Sequence, residues 1–399
     1  MKPDAATWDE KIAIFAAAAM SLEAASYPKP GNVHRLKDFK ETTFEHFLIS
    51  SLSVQPVFQK SASLDSKTNE FGRLFYDAVL KSQYFQSGGN THFGTLILLL
   101  PLSMAAGVIF NEGKKKSGKN DGKKNKDSGI SKKVAEKAAE ICKKTTIKDA
   151  ICFYKAFEMM DIPVQKIETD RNEKKTNATH SNASDLTKSK NTNLTNSNTS
   201  NLTKSNNVNL TNSNTSNLKN SNAVDLTNSN AIDLTNSNAF DLTNPKAAQN
   251  IQFQKTPLYD LMKSGAQRDM ISKEWVTGFE KSLLFSTKLM ENKRFFETRP
   301  KKCYGSCINS AVVYTFMEFL AEFEDTFIVT KFNQKKAAKI RKKAAKIVQK
   351  DRGKRNLMKM IPKIQRLDQK MQNGKINPGS LADITAAGIF IALLDGMAI

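Results

Sequence analysis

The sequence predicts an all-α protein: a single globular helical domain interrupted by a lysine-rich spacer and a long low-complexity octad-repeat insert. Three observations carry this expectation. Apolar residues recur near every 3.6 positions in one segment after another, and no window sustains the period-2 alternation of a strand. Leucine recurs at 186, 194, 202, 210, 218, 226, 234 and 242, an eight-residue period inside Asn, Ser and Thr. The expected organisation is 1–110, 132–167 and 251–399 as three parts of one domain, with spacer 111–131 and insert 168–250 between them.

Trp8, Ile12, Phe15, Ala16, Ala19, Leu22 and Glu23 set the first helix over 8–26, which Pro28 and Pro30 stop. Amphipathic helices follow over 43–58 and 70–84, then an apolar one over 95–109. The spacing of Val134, Ala138 and Ile141, then Ala150, Phe153 and Phe157, predicts helix over 132–157. After the insert, 258–263, 267–291, 308–323 and 334–349 read as helices. The last, 380–394, is apolar on nearly every side and is placed at the centre. Phe93–Phe110 is an uncharged run at the length threshold of a membrane span. It starts inside the polar turn Asn90-Thr91-His92, which favours a buried central helix.

The chain has 399 residues and a formal net charge of +22. Residues 114–133 hold nine lysines against Asp121 and Asp127, and residues 335–355 hold eleven Lys and Arg against Asp351. These two clusters supply most of the excess, so the rest is mildly basic and sequence-specific nucleic-acid binding is not expected. The 335–355 cluster reads as a solvated helix face, or as a surface for a phosphate-rich or acidic partner. Asp4, Asp9 and Glu10 stand where a signal peptide needs positive charge, so a cytosolic protein with free thiols is expected. Cys303 and Cys307 have a spacing open to a metal pair, but no second pair accompanies them. Gly113–Asn120 nearly spells a phosphate-binding loop, yet Asn120 stands where Ser or Thr must hold magnesium. One leucine per octad is too little apolar area to order the insert, and a small β-solenoid is the alternative reading.

Three polar bends interrupt this helical pattern: Pro28-Lys29-Pro30-Gly31-Asn32-Val33, Gly88-Gly89-Asn90-Thr91-His92-Phe93-Gly94 and Asn377-Pro378-Gly379-Ser380-Leu381-Ala382-Asp383. Each leads into apolar helix, where backbone amides and the helix dipole favour an anion. The same bends carry a family resemblance, together with Asp38-Phe39, Thr43–Leu48, Thr145–Phe157, Leu258–Phe279 and the remainder of Asn377–Gly396. The chain resembles the triphosphoribosyl-dephospho-CoA synthase family, and more closely a distant branch of it with poorly defined substrates.

The resemblance implies an ATP-dependent transferase that moves the triphosphoribosyl group of ATP to the 2′-hydroxyl of dephospho-CoA and releases adenine. It also implies magnesium as cofactor. The reaction asks for a carboxylate base, cations for the triphosphate and a donor to protonate adenine. Expected catalytic residues are Glu23, His92, Asp383 and Glu274. Expected substrate and phosphate contacts are Lys29, Gly31, Asn32, Asp38, Asn90, Thr91, Arg268 and Asn377, and expected magnesium ligands are Asp269 and Asp383. Bland readings stand beside these: Glu23 as a surface or capping residue, Lys29 as solvated, Arg268 as a carboxylate partner and Asp383 as a helix cap. Asp269 and Glu274 lie about 140° apart on a helix and need not face one ligand. The rival readings are a basic nucleic-acid-associated protein and an integral membrane protein with 93–110 as its span, and the acceptor is open to another cofactor precursor.

Overall fold

In the computed structural model, which describes residues 6–65, 70–117, 129–160, 255–351 and 353–399, α1 (Trp8–Ala25) begins at a capping pair. Glu10 Oε2 accepts the Thr7 N–H at 2.7 Å, satisfying a donor that the helix start leaves free. Then come α2 (Phe44–Ser53), α3 (Gln55–Ser63), α4 (Phe71–Tyr84), α5 (Phe93–Ser117), α6 (Ile130–Lys143) and α7 (Ile147–Met159). After the insert follow α8 (Leu258–Gly265), α9 (Met270–Thr277), α10 (Glu280–Glu297), α11 (Cys307–Glu322) and α12 (Thr326–Lys331). The chain closes with α13 (Gln334–Asp351), α14 (Leu357–Asn373) and α15 (Gly379–Leu394). No strand occurs among the described residues, so the fold is all-α. The octad tract 168–250 and spacer residues 118–128 lie outside the described residues, while α5 continues past position 110 to Ser117.

Three stretches expected as single helices are each two. The 43–58 stretch breaks at Val54, ahead of Gln55-Pro56. The 132–157 stretch breaks at Thr145-Thr146, where Asp149 Oδ2 accepts the Thr146 N–H at 2.6 Å and starts α7. The 267–291 stretch breaks at Gly278 and Phe279, whose φ values of 70° and 62° are left-handed and end α9. Helices α12 and α14 were not anticipated. In α14 the interior Pro362 sits on the solvent side with Met358, so the carbonyl that loses its amide donor faces water.

Helix α15 is buried over nearly its whole length and packs against α1, α5 and α10. Gly388 lets α10 approach, since a Cβ there would lie 2.5 Å from the Phe285 ring. Helix α5 contains the apolar run that passes the length test for a membrane span, and 89% of its 18-residue apolar window is buried inside the protein. Pro101 lies within α5 and has no N–H, which deprives the Ile97 carbonyl of its helical donor. The indole of fully buried Trp275 supplies the substitute, donating Nε1–H to Ile97 O at 3.1 Å. Trp275→Phe is therefore expected to strand a buried carbonyl and cost about 1–3 kcal/mol, read as a lower urea midpoint at unchanged slope.

Candidate active site

Pro28–Val33 leaves α1 and turns back beneath it. Lys29 is fully buried, and its ammonium meets the Glu23 carboxylate and donates to the Glu23 carbonyl at 2.5 Å. Burial pushes the Glu23 carboxyl up and the Lys29 ammonium down, and each partner's charge offsets part of the other's shift. Gly31 takes φ +80°, and a Cβ there would collide with the carbonyl of Ile376 and the side chain of Met371. Its amide, expected to face a phosphate, instead donates to Asp368 Oδ1 at 2.9 Å. His34 Nδ1 accepts the Leu36 N–H, so its Nε2–H donates to the other Asp368 oxygen at 3.2 Å. Gln372 Nε2 holds the Asn32 carbonyl at 2.9 Å, so α14 clamps the bend from one side. Asn309 brackets it from the other, accepting from Tyr27 N and donating to Tyr27 O, each at 2.9 Å.

The second bend starts α5. Exposed Asn90 caps the helix, its Oδ1 accepting the Phe93 N–H at 3.1 Å. Thr91 Oγ1 donates to Ser50 Oγ at 2.8 Å, and the Ser50 hydroxyl lies 3.1 Å from His92 Nδ1. Burial first, and then the nearby Lys29 charge, push His92 down to about 3. The imidazole is thus neutral at pH 7, which removes it as an imidazolium donor to adenine.

The third bend starts α15, and Asp383 is the fifth residue of that helix. Thr95 Oγ1 donates to Asp383 Oδ1 at 2.6 Å, and a Cβ on Gly94 would strike the same carboxylate. The N-termini of α5 and α15 therefore meet at Asp383. Crowding by protein, and then the charges of Glu23, Asp325 and Asp269, raise Asp383 to about 8. Asp325 escaped the sequence reading, although it caps α12 and stands beside the site. Its oxygens accept Ile328 N at 2.9 Å and Leu381 N at 2.8 Å, and burial pushes it up to about 7. No family motif covers Asp325, and its only sequence signal is Asp-Thr before the apolar Phe327-Ile328-Val329.

The bends converge. Lys29 perturbs His92 and is itself perturbed by Asp383, while Gly31 packs against Ile376 and Pro378. Three buried side-chain atoms among the described residues have no hydrogen-bond partner here, one per bend: Asn32 Nδ2, His92 Nε2 and Asn377 Oδ1. Asn32 and His92 are 5% and 2% exposed, so leaving them unpaired carries a desolvation cost. Thr91, Asn377 and Asp383 are partly exposed and mark the solvent side.

Other expected residues fall elsewhere or are engaged. Glu274 is fully buried and caps α10, accepting from Lys281 N, Ser282 N and Ser282 Oγ at 2.7–3.0 Å. Asp38 is exposed and accepts the Phe44 N–H at the start of α2. Arg268 is exposed beside Asp269, which caps α9 through Ser272 N at 2.7 Å. Asp269 Oδ2 also accepts from Ser272 Oγ and Asp383 Oδ1 from Thr95 Oγ1, so each carboxylate has an oxygen engaged within the protein. No three His, Cys, Asp or Glu among the described residues share a cation-sized space. The pair expected to hold magnesium fits that ion poorly. The Cys303 and Cys307 sulfurs lie 3.6 Å apart as free thiols.

The comparisons bear on this arrangement. The model of the family ATP:dephospho-CoA triphosphoribosyl transferase matches residues 9–197 and 189–398. No curated protein matches the chain. A crystal structure from Archaeoglobus fulgidus, described as a triphosphoribosyl-dephospho-CoA synthase, aligns with 89% of this chain and all of its own. It does so at 20% identity and a TM-score of 0.50, which speaks for the fold. The family match leaves little more than the chain's ends uncovered and includes every bend described above, so the chain belongs to the ATP:dephospho-CoA triphosphoribosyl transferase family.

Proposed function

We propose that the chain joins the ribose C1 of ATP to the 2′-hydroxyl of dephospho-CoA, with adenine leaving and the triphosphate remaining on the transferred sugar. The observation that supports this best is the convergence of three bends around one buried pair, each contributing an unpaired buried polar atom. A nucleotide has base nitrogens, hydroxyls and phosphates to satisfy all three.

The reaction forms a C1–O bond and breaks C1–N9, so one proton leaves the hydroxyl and one reaches adenine. Asp383, loaded with a proton at neutral pH, is the donor to the departing base. Glu23 is the acceptor of the hydroxyl proton: burial raises its carboxyl and makes it the stronger base, and the adjacent Lys29 ammonium offsets part of that shift. Neutral His92 orients substrate through Nε2, while Asn32 and Asn377 bond base or sugar. The joined N-termini of α5 and α15 place positive dipole ends toward the triphosphate, with Thr91 at the partly exposed edge. The free thiols suit the cytosol as the place of reaction.

Purified protein given ATP and dephospho-CoA is expected to release adenine mole for mole with a heavier CoA product, followed by chromatography and mass spectrometry. Release of adenine only with a different acceptor would keep the chemistry and replace the acceptor. Formation of ADP or AMP without adenine would defeat the reading.

A further inference from the structure

Helix α13 buries Ala337, Ile340, Ala344 and Ile347 against the body of the protein and turns its lysines outward. Lys335, Lys339, Lys342, Lys346 and Lys350 are all exposed and recur at steps of three or four residues. They form one stripe about 22 Å long on a helix rising 1.5 Å per residue. Helix α14 extends the field with exposed Lys359, Lys363, Arg366 and Lys370. Lys343 lies where the charges of Lys339, Lys370 and Lys336 meet, so lysines of the two helices crowd one another.

Among the described residues nothing neutralises this stripe. The only acid on α13, Asp351, is turned inward and accepts from Tyr314 Oη at 3.2 Å and Asn356 N at 3.1 Å. Among the described residues no α13 lysine has an ion pair, and Glu324 is taken by Arg341 at 3.1 Å. At one end of the stripe a broad cavity of about 450 Å³, open to solvent, is lined by Lys331, Phe332, Asn333, Lys335, Lys336 and Lys339. Phe332 is half-buried there, with the Lys331 and Lys336 ammonium groups 6.0 and 5.4 Å from its ring centre.

We propose that this face binds single-stranded nucleic acid without reading its sequence. Backbone phosphates run along the α13 stripe, and one base stacks on Phe332 in the cavity. An uncompensated cationic track beside an aromatic platform is the combination that single strands require. A lipid surface fits less well, because the exposed positions of α13 carry no apolar side chain to insert. This surface shares no residue with the proposed transferase site, so the two assignments stand or fall separately.

Fluorescence anisotropy with a labelled 20-nucleotide uridine RNA, between 50 and 300 mM KCl, tests the proposal. The variant K335E/K339E/K342E/K346E is expected to bind at least tenfold more weakly. Its log K against log salt should be shallower by about 3, from about 0.7 per lost phosphate contact on a single strand. The control K255E/K263E/K273E/K301E, with the same change in net charge, is expected to stay within threefold of the unaltered protein. Phe332→Leu keeps the apolar volume and removes the stacking face, so it should weaken RNA severalfold and leave long-chain polyphosphate unchanged. Equal losses in patch and control variants would overturn the proposal, leaving a net-charge effect. So would polyphosphate or phosphatidylserine vesicles binding as tightly as RNA with no effect of Phe332→Leu.

Discussion

Glu23→Ala is expected to cost about 3–5 kcal/mol of folding stability and to abolish adenine release. It leaves the Lys29 ammonium fully buried with no opposing charge, and stranding one member of a buried ion pair is among the costliest single changes. Lys29→Ala should cost a similar amount by stranding the carboxylate. The double variant E23L/K29M separates stability from function. Replacing both charges by apolar groups of similar size removes the desolvation burden together with the attraction, so its urea stability should lie within about 1 kcal/mol of the unaltered protein. Adenine release should stay lost, because the acceptor carboxylate is gone. A double variant that is both stable and active would show that the pair only holds the bend.

The second large effect is expected at Asp383. In the unfolded chain this carboxyl titrates near 3.8, and in the folded protein near 8. Between those values the folded state keeps a proton that the unfolded chain has lost. Its contribution is therefore fully present below about pH 4 and is lost as the pH rises through 8. Asp383→Asn removes the titration and keeps an oxygen for Thr95. Its stability relative to the unaltered protein should be near zero at pH 4 and rise to roughly 1–3 kcal/mol in its favour at pH 8, discounted for partial exposure. Asp325 titrates in the same window and its charge is one of those that raise Asp383, so the difference reports the coupled pair and not Asp383 alone. Adenine release should fall at least about a hundredfold, the usual worth of a general acid. A stability difference that does not change with pH would remove Asp383 as a protonated group.

How much of this could be read in the residues depended on the range of the interaction. Apolar spacing located most helices, because each buries one face and the spacing records that face directly. It overran the breaks at Val54, Thr145-Thr146 and Gly278-Phe279, because the apolar phase continues across them and the signal lies in caps such as Asp149. Helix α14 was missed because Pro362 reads as a breaker, and the sequence does not show that its orphaned carbonyl faces water. The three bends were legible as Pro, Gly and Asn clusters. Their bracing by Asp368, Asn309 and Ser50 was not, since those contacts join residues 42 to 337 positions apart. Charge states were the least legible. That Lys29 is spent on Glu23 and His92 is neutral follows from burial, which depends on every packed helix at once.

The central claim is that one nucleotide occupies the meeting point of the three bends, and a crystal structure of the protein with ATP and dephospho-CoA tests it most directly. The predicted result is a nucleotide within hydrogen-bonding distance of Asn32 Nδ2, His92 Nε2 and Asn377 Oδ1, with its triphosphate at the start of α5 and α15. A nucleotide bound elsewhere, with those three atoms still unpaired or bonded to water alone, would contradict it.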